Sequence, residues 1–249
     1  MTPSIPVRLA KRVAEMRVCS RREAEQIITG GWVRVDGVVV EEPHFRVAEH
    51  MVEIDAKADP TQAEPVTLLL HKPCGVPMQA TEAEQAALQL LNIDSFWPEV
   101  SLIPGAKIIR PLKMHFTQLN LCAALETHTS GLVVFSQDWR IVRKLTEEAA
   151  TVEHEIVAEV TGELSPAGLK RLNQGMPFQG QSATAIKVSW QNETRLRIAL
   201  KGAKLGQVMH MLNEVGLEVI ALKRIRLGGV SMGKVPAGNW RYLRSNERF

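Results

Sequence analysis

Two short amphipathic helices are predicted at the start of the chain. Leu9, Val13 and Met16 recur at intervals of four and three residues, the spacing of one helical face, so we expect all three to be buried. A second helix should begin after Ser20, because Ser20 and Glu23 can form a capping box in which each side chain bonds the other's backbone amide. The apolar residues of this helix are Ala24, Ile27 and Ile28, and Gly30 and Gly31 end it.

A β-hairpin is predicted in residues 32–40. β-Branched residues on both sides of Asp36-Gly37 indicate two strands joined by a type I′ turn, for which Asp-Gly is a preferred pair. Residues 1–57 are therefore predicted to form a small domain of two helices and a hairpin. Residues 58–65 contain two prolines and no hydrophobic periodicity, so we place a linker there and a second domain at 66–249.

The second domain mixes strands irregularly with a few helices. Apolar or alternating segments predict strands at 67–71, 132–135 and 152–160, two strands within 183–200, and strands at 217–226 and 240–243. Capping residues predict helices that begin at Asp138, Ser165 and Gly206. Residues 77–121 show no clear pattern. Because strands and helices do not alternate strictly, we predict an α+β fold with a central, mainly antiparallel sheet.

The composition is that of an ordinary globular protein. Apolar residues make up 45% and charged residues 23% of the 249 residues, which excludes a disordered, collagen-like or coiled-coil chain. Cys19, Cys74 and Cys122 are too scattered for a disulfide framework, and the histidines lack metal-ligand spacing, so no metal is expected. Since no run of 18 apolar residues and no secretory segment are present, we expect a soluble cytoplasmic protein with no membrane partner.

Charge is distributed unevenly along the chain. Residues 1–37 hold seven Lys or Arg against four Asp or Glu, residues 38–66 hold two against seven, and residues 221–249 hold seven against one. Basic charge at both ends is typical of a protein that holds a polyanion from two sides. Ordinary solvated surface charge is the alternative interpretation.

The candidate phosphate contacts lie in both basic regions. Arg21 and Arg22 fall in the first turn of the second helix, where free amides and the helix dipole favour an anion. Arg224 and Arg226 alternate on a predicted strand, so we expect them on one face of it. The other N-terminal candidates are Arg8, Lys11, Arg12, Arg17 and Arg34.

Several segments resemble known families. Residues 8–55, with RLAKRVAEMRVCSRREAEQIITGGWVRVDGVVV, resemble the small alpha-L RNA-binding domain. LLLHKPCGV at 68–76, LETHTSGLVVF at 125–135 and VGLEVIALKRIRLGGVSMGKVPAGNWRYL at 215–243 resemble the catalytic domain of the RsuA-like rRNA pseudouridine synthases, which carry the same N-terminal domain. The resemblance implies binding of structured rRNA and isomerisation of a flipped uridine without a cofactor, a carboxylate helping to break the bond between C1′ and N1 before the uracil rejoins through C5.

The chain departs from this family where the resemblance places the chemistry. The family's Gly-Arg-Leu-Asp corresponds to Ala123-Ala124-Leu125-Glu126, so Glu126 replaces the aspartate and Ala124 replaces its orienting arginine. The expected tyrosine falls at Ile156, and residues 205–211 lack three arginines of the family. One added methylene moves a carboxylate by up to about 1.5 Å, and a shift of about 1 Å can reduce a rate roughly a hundredfold.

Two functions therefore stay open. In the first, the protein is an rRNA pseudouridine synthase with Glu126 as its catalytic carboxylate. In the second, which the lost partners favour, isomerase activity is impaired or absent and the protein acts only as an RNA-binding or ribosome-assembly factor. In either case we expect a monomer whose cleft is lined by Glu126, His128, Lys72, Arg224 and Arg226. The resemblance also places His154 on the floor of this cleft, without an assigned role.

Overall fold

The computed structural model describes residues 5–59, 65–78, 86–98, 110–180 and 182–249. The chain divides into two compact units: an N-terminal unit, Met1–Pro65 with Ile108–Gln118, and a larger unit, Val66–Lys107 with Leu119–Phe249. Most of the predicted linker, residues 60–64, lies outside the described residues, as do 79–85 and 99–109 of the unassigned segment. Within the described ranges, no helix is long and apolar enough to cross a membrane.

The N-terminal unit contains both predicted helices and the hairpin. Its elements are β1 (Val7–Arg8), α1 (Leu9–Arg17), α2 (Arg21–Thr29), β2 (Val33–Val35), β3 (Val38–Val39), β4 (Arg46–Val47) and β5 (Val52–Ile54). Antiparallel pairing joins β2 to β3 and β5, and β1 to β4. The capping box is confirmed: the Ser20 amide donates to the Glu23 carboxylate at 2.8 Å, and the Glu23 amide to the Ser20 hydroxyl at 3.2 Å. Asp36 and Gly37 have φ values of 50° and 80°, as a type I′ turn requires.

A small apolar core holds this unit together. Leu9 and Val13 of α1 are buried with Ala24, Ile27 and Ile28 of α2, as the helical spacing predicted. The prediction for Met16 was wrong, because its side chain is 48% exposed. Met16 lies in the last turn of α1, and Val18, in the left-handed conformation, then leads the chain away.

A segment from much later in the chain completes the N-terminal unit. Residues 110–118, which we call the return segment, bind the acidic pair that follows β3. The Arg110 guanidinium and the Lys113 amide donate to Glu41 at 2.9 and 2.7 Å, and Lys113 Nζ bonds Glu42 at 2.5 Å. The acidic residues Glu41 and Glu42 are therefore neutralised by cations that follow them by about 70 residues.

The larger unit is built on a nine-stranded, mainly antiparallel sheet. Seven of its strands have the order β10-β11-β9-β12-β8-β6-β14, while β7 pairs with β8 and β13 with β12. The strands β12 and β8 pair in parallel. The strands are β6 (Thr67–Lys72), β7 (Asn120–Ala123), β8 (Thr129–Ser136), β9 (Glu153–Thr161), β10 (Lys187–Trp190), β11 (Arg195–Lys201), β12 (Glu218–Leu227), β13 (Val230–Ser231) and β14 (Trp240–Tyr242). The predicted α+β class is confirmed.

Within the described residues, a helix packs beside this sheet near each of the three predicted starts. These helices are α3 (Trp139–Thr146), α4 (Pro166–Gln174) and α5 (Gln207–Asn213). Asp138 caps α3 by accepting from the Arg140 amide at 2.9 Å, and Ser165 caps α4 by accepting from the Gly168 amide at 3.0 Å. One apolar cluster joins β9, β10, β11 and β12 to α4 and α5, and a second joins β6, β7 and β8 to α3.

Candidate active site

The candidate carboxylate lies on a short loop between two strands. Glu126 follows β7, and the Thr129 amide at the start of β8 donates to the Glu126 carbonyl at 3.1 Å, which closes a tight turn. Glu126 Oε1 accepts a hydrogen bond of 2.5 Å from the amide of Gly206, the residue before α5. In the part of the chain that the structure describes, Oε2 has no hydrogen-bond partner. Glu126 is half-buried, so this oxygen can meet a ligand.

A buried arginine fixes the chain on the N-terminal side of Glu126. Arg224 of β12 is 2% exposed, and its guanidinium donates to three backbone carbonyls: Leu132 and Ala123 at 2.7 Å and Ala124 at 3.2 Å. Burial lowers the pKa of Arg224 to about 10, and the charge of Glu126 opposes that shift. Arg224 thus holds the backbone that leads into Glu126 and is itself stabilised by the carboxylate.

A buried lysine fixes the chain on the other side. Lys72, at the end of β6, is fully buried, and its ammonium group donates to the carbonyls of Pro73, Val76 and Thr127 at 3.0, 2.7 and 3.1 Å. Burial lowers the pKa of Lys72, and the charge of Glu126 acts in the opposite direction. All three N–H groups of Lys72 are used on backbone, and one of them holds the residue directly after Glu126.

Gly131 lets β8 approach β12 closely at this point. It pairs with Arg224 in the parallel ladder and has a φ of 115°, a conformation that side-chain-bearing residues rarely adopt. A Cβ atom at this position would collide with the Arg224 backbone. The glycine in the sequence THTSGL therefore keeps Arg224 within reach of the carbonyls that it binds.

The expectation that Arg224 and Arg226 share one face is wrong. A β-bulge lies between them: Arg224 is opposite Ile156 of β9, but Arg226 is opposite Glu155, the very next residue. Adjacent residues of a strand point to opposite faces, and a bulged residue resets the alternation. The extra residue, Ile225, therefore sends the two arginines to different sides of the sheet.

Arg226 belongs to an ion-pair network instead. It bonds Glu153 at 2.8 Å and Glu155 at 2.5 Å, and Arg197 of β11 pairs with the same Glu155 carboxylate. Burial would raise the pKa of Glu155, but hydrogen bonds from Arg197 and Arg226 outweigh it and lower the pKa. RNA contacts by Arg226, Arg224 and Lys72 stay predictions, and the structure places all three side chains in bonds to the protein itself.

The two histidines predicted near the cleft differ in exposure. His128 is exposed, two residues after Glu126, and its carbonyl accepts from the Cys74 thiol at 3.3 Å. His154 is buried on β9, where burial and the charge of Arg224 lower its pKa to about 3, so it is a neutral imidazole. Ile156, at the position expected for the tyrosine, is 6% exposed and belongs to the core.

The seven N-terminal candidates are all exposed and all lie in the N-terminal unit. They are Arg8, Lys11, Arg12, Arg17, Arg21, Arg22 and Arg34. Arg21 and Arg22 open α2, as the sequence predicted, and the interactions of Lys11, Arg17 and Arg34 are long contacts at 3.3 to 3.9 Å. Exposed pairs of this kind contribute little to stability, so these side chains are free to meet a polyanion.

The sequence interpretation missed an aromatic ring beside Gly206, the residue whose amide binds Glu126. Phe178 packs against His210 of α5 with ring centroids 5.4 Å apart. Its Cζ atom lies 3.7 Å from the position that a Cβ atom would occupy at Gly206, whose amide binds Glu126. Phe178 follows α4 without any recognisable motif, so only the fold could reveal it. Tyr242, the one tyrosine of the chain, packs against Phe96 and Trp240.

Comparison with known proteins agrees with this architecture. The S4 domain model matches residues 7–52. An uncharacterized RNA pseudouridine synthase of Mycobacterium bovis is 30% identical over 250 residues, covering 97% of this chain and 91% of that protein. The dual-specificity RNA pseudouridine synthase RluF of Escherichia coli is 26% identical over 99% of this chain and 79% of its own length. The chain belongs to the RsuA-like family of RNA pseudouridine synthases, which combine an S4 domain with a catalytic domain.

Two further comparisons concern length and fold. The chloroplast protein SVR1 of Arabidopsis thaliana is 28% identical over 90% of this chain, which spans only 55% of that longer protein. A crystal structure of a pseudouridylate synthase superposes with a TM-score of 0.57 over 95% of this chain and 96% of that one, at 18% identity. That similarity establishes the shared fold.

Proposed function

We propose that this chain binds structured ribosomal RNA and isomerises one uridine to pseudouridine, with Glu126 as the catalytic carboxylate. The observation that carries the proposal is the fixed position of Glu126. Arg224 and Lys72 hold the backbone on both sides of it, the Gly206 amide holds Oε1, and Oε2 is left for a ligand. Preorganisation of this kind makes a carboxylate effective in a transition state.

The chemistry requires a negative group at the sugar. When the bond between C1′ and N1 of the flipped uridine breaks, positive charge develops at C1′, and a carboxylate in contact stabilises it. The uracil then turns and forms the bond from C1′ to C5, C5 loses its proton and N1 gains one. Atoms balance without a cofactor, so we propose a cofactor-free enzyme. We also propose that the enzyme is monomeric and cytoplasmic.

Phe178 is proposed to take the part of the missing tyrosine. An extruded base needs an apolar or aromatic surface to replace the stacking that it loses. Ile156 is buried in the core, whereas the half-buried Phe178 ring lies beside the residue that anchors Glu126. We therefore assign the base-packing role to Phe178.

RNA binding itself is assigned mainly to the N-terminal unit. Its seven exposed cations can neutralise phosphates and release counterions, so affinity should fall steeply as salt rises. The larger unit would then hold the target nucleotide at Glu126.

A second candidate function follows from the same site. Ala124 provides no guanidinium, and the Arg224 guanidinium is used on backbone carbonyls, so no arginine of the described residues bonds the Glu126 carboxylate. A chain that binds rRNA at this site without isomerising it would act as an assembly factor. Product formation separates the two functions.

The test uses the full chain and ribosomal RNA from cells that lack it. Pseudouridine is mapped with the parent protein, Glu126→Ala, Glu126→Asp and the control Glu193→Ala, which removes an exposed glutamate from the turn after β10. We expect product with the parent and the control, and none with Glu126→Ala. Glu126→Asp should be slower by about a hundredfold, because the shorter side chain no longer reaches Gly206.

Binding by the parent without product would establish the second function. A faster reaction with Glu126→Asp would show that the Gly206 bond holds the carboxylate away from the reacting sugar.

A further inference from the structure

A groove beside α3 lies outside the candidate active site. It has a volume of about 610 Å³ and is lined by Asn120, Gln137, Trp139, Val142, Arg143 and Glu147. Pockets that hold small ligands typically measure about 300–1,000 Å³, so a nucleotide-sized group fits. The mechanism proposed above uses none of these residues.

The exposed indole ring of Trp139 lines the groove. Trp139, the first residue of α3, is 66% exposed, and its ring N–H has no hydrogen-bond partner within the described ranges of the chain. An exposed tryptophan beside a concave surface is uncommon in a protein that buries its apolar groups, and aromatic side chains of this kind stack single-stranded bases.

The charges around the groove do not favour a phosphate as its occupant. Arg143 pairs with Glu147 at 3.6 Å and with Glu148 at 3.5 Å, and Arg140 lies 3.6 Å from Asp138. Because each arginine is matched by a carboxylate, a phosphate would meet little net positive charge. An uncharged planar group that stacks on Trp139 and donates hydrogen bonds to Glu147 fits this surface better.

We infer that the groove binds an unpaired base of the RNA, stacked on Trp139. Glu147 can accept from an exocyclic amino group of cytosine, adenine or guanine, which uracil lacks. Asn120 begins β7, and Glu126 follows it by six residues, so the two sites are at most about 20 Å apart along the chain. This inference rests on the proposed function, since the same RNA would supply both the target uridine and the stacked base.

The experiment measures binding by the full-length protein to a ten-nucleotide oligocytidine and to an abasic ten-mer, which keeps the phosphates but has no bases. Trp139→Ala should weaken oligocytidine binding at least about fivefold and leave abasic binding unchanged. Trp139→Phe should retain most of the affinity. The matched control Trp190→Ala removes another partly exposed tryptophan, on β10, and should have no effect.

Equal binding of oligocytidine by the parent and Trp139→Ala, or an equal loss on the abasic ten-mer, would overturn the inference. Because the readout is affinity, it does not depend on Glu126. A Trp139 effect without any pseudouridine would therefore refute only the isomerase proposal, and product without a Trp139 effect would refute only the base site.

Discussion

Replacing His154 by leucine should remove much of the acid sensitivity of the larger unit. The imidazole is 9% exposed, between Leu200 of β11 and Leu227 of β12, with the charge of Arg224 nearby. Burial and Arg224 lower its pKa from 6.5 to about 3. In the folded state His154 is therefore neutral down to about pH 3, whereas in the unfolded chain it takes up a proton below pH 6.5.

The sign and size follow from proton linkage. Between pH 6.5 and about 3 the unfolded state binds more protons than the folded state, so stability falls as the pH falls through that window. Each pH unit corresponds to about 1.4 kcal/mol, so acidification from pH 7.5 to 5.0 should lower the free energy of unfolding by about 2 kcal/mol through His154. His71, whose pKa is also lowered by burial, adds a contribution of its own that the substitution leaves in place.

The assay is urea unfolding followed by tryptophan fluorescence at pH 7.5 and 5.0. His154→Leu should reduce the difference between the two free energies by about 2 kcal/mol relative to the parent. His128→Leu, which removes an exposed histidine two residues after Glu126, is the matched control and should behave as the parent does. If His154→Leu keeps the full pH dependence, the imidazole is not buried as a neutral group and the linkage argument fails.

Two other substitutions test the electrostatics of each unit. Arg21→Glu with Arg22→Glu should weaken rRNA binding at least tenfold at moderate salt, whereas Lys170→Glu with Lys187→Glu, the same charge change on exposed positions of the larger unit, should weaken it less in a filter-binding titration. Unchanged affinity of the Arg21→Glu, Arg22→Glu protein would remove the N-terminal unit from the interface. Lys72→Met should lower the free energy of unfolding by about 3 kcal/mol, since three carbonyls lose their donor, with exposed Lys201→Met as its control in urea titrations. An unchanged urea midpoint would mean that water replaces the ammonium group.

Local signals in the sequence predicted most of the elements. The Ser20 capping box, the Asp36-Gly37 turn and the caps at Asp138 and Ser165 depend on neighbours within four residues, and the structure confirms them. The short strands β1, β4, β5, β7 and β13 were missed because two to four residues carry no usable periodicity.

The interior of the site was less predictable for a physical reason. Strand alternation placed Arg224 and Arg226 together, but a bulge depends on the register of two partner strands and cannot be seen in one of them. Lys72 was expected to line the cleft, and lysines are seldom buried, yet three carbonyls from two separate segments enclose its ammonium group. Contacts between distant segments, such as the bond from Gly206 to Glu126, leave no trace in local composition.

The return segment has a practical consequence for dissecting this protein. An expression fragment that stopped at residue 57 would contain Glu41 and Glu42 but neither Arg110 nor Lys113. Two carboxylates would then lack their cations in the unit that carries the seven exposed basic residues. Such a truncated S4 fragment should bind nucleic acid more weakly than its exposed arginines suggest. A fragment that keeps these ion pairs would need residues 110–118 attached to it through a designed loop.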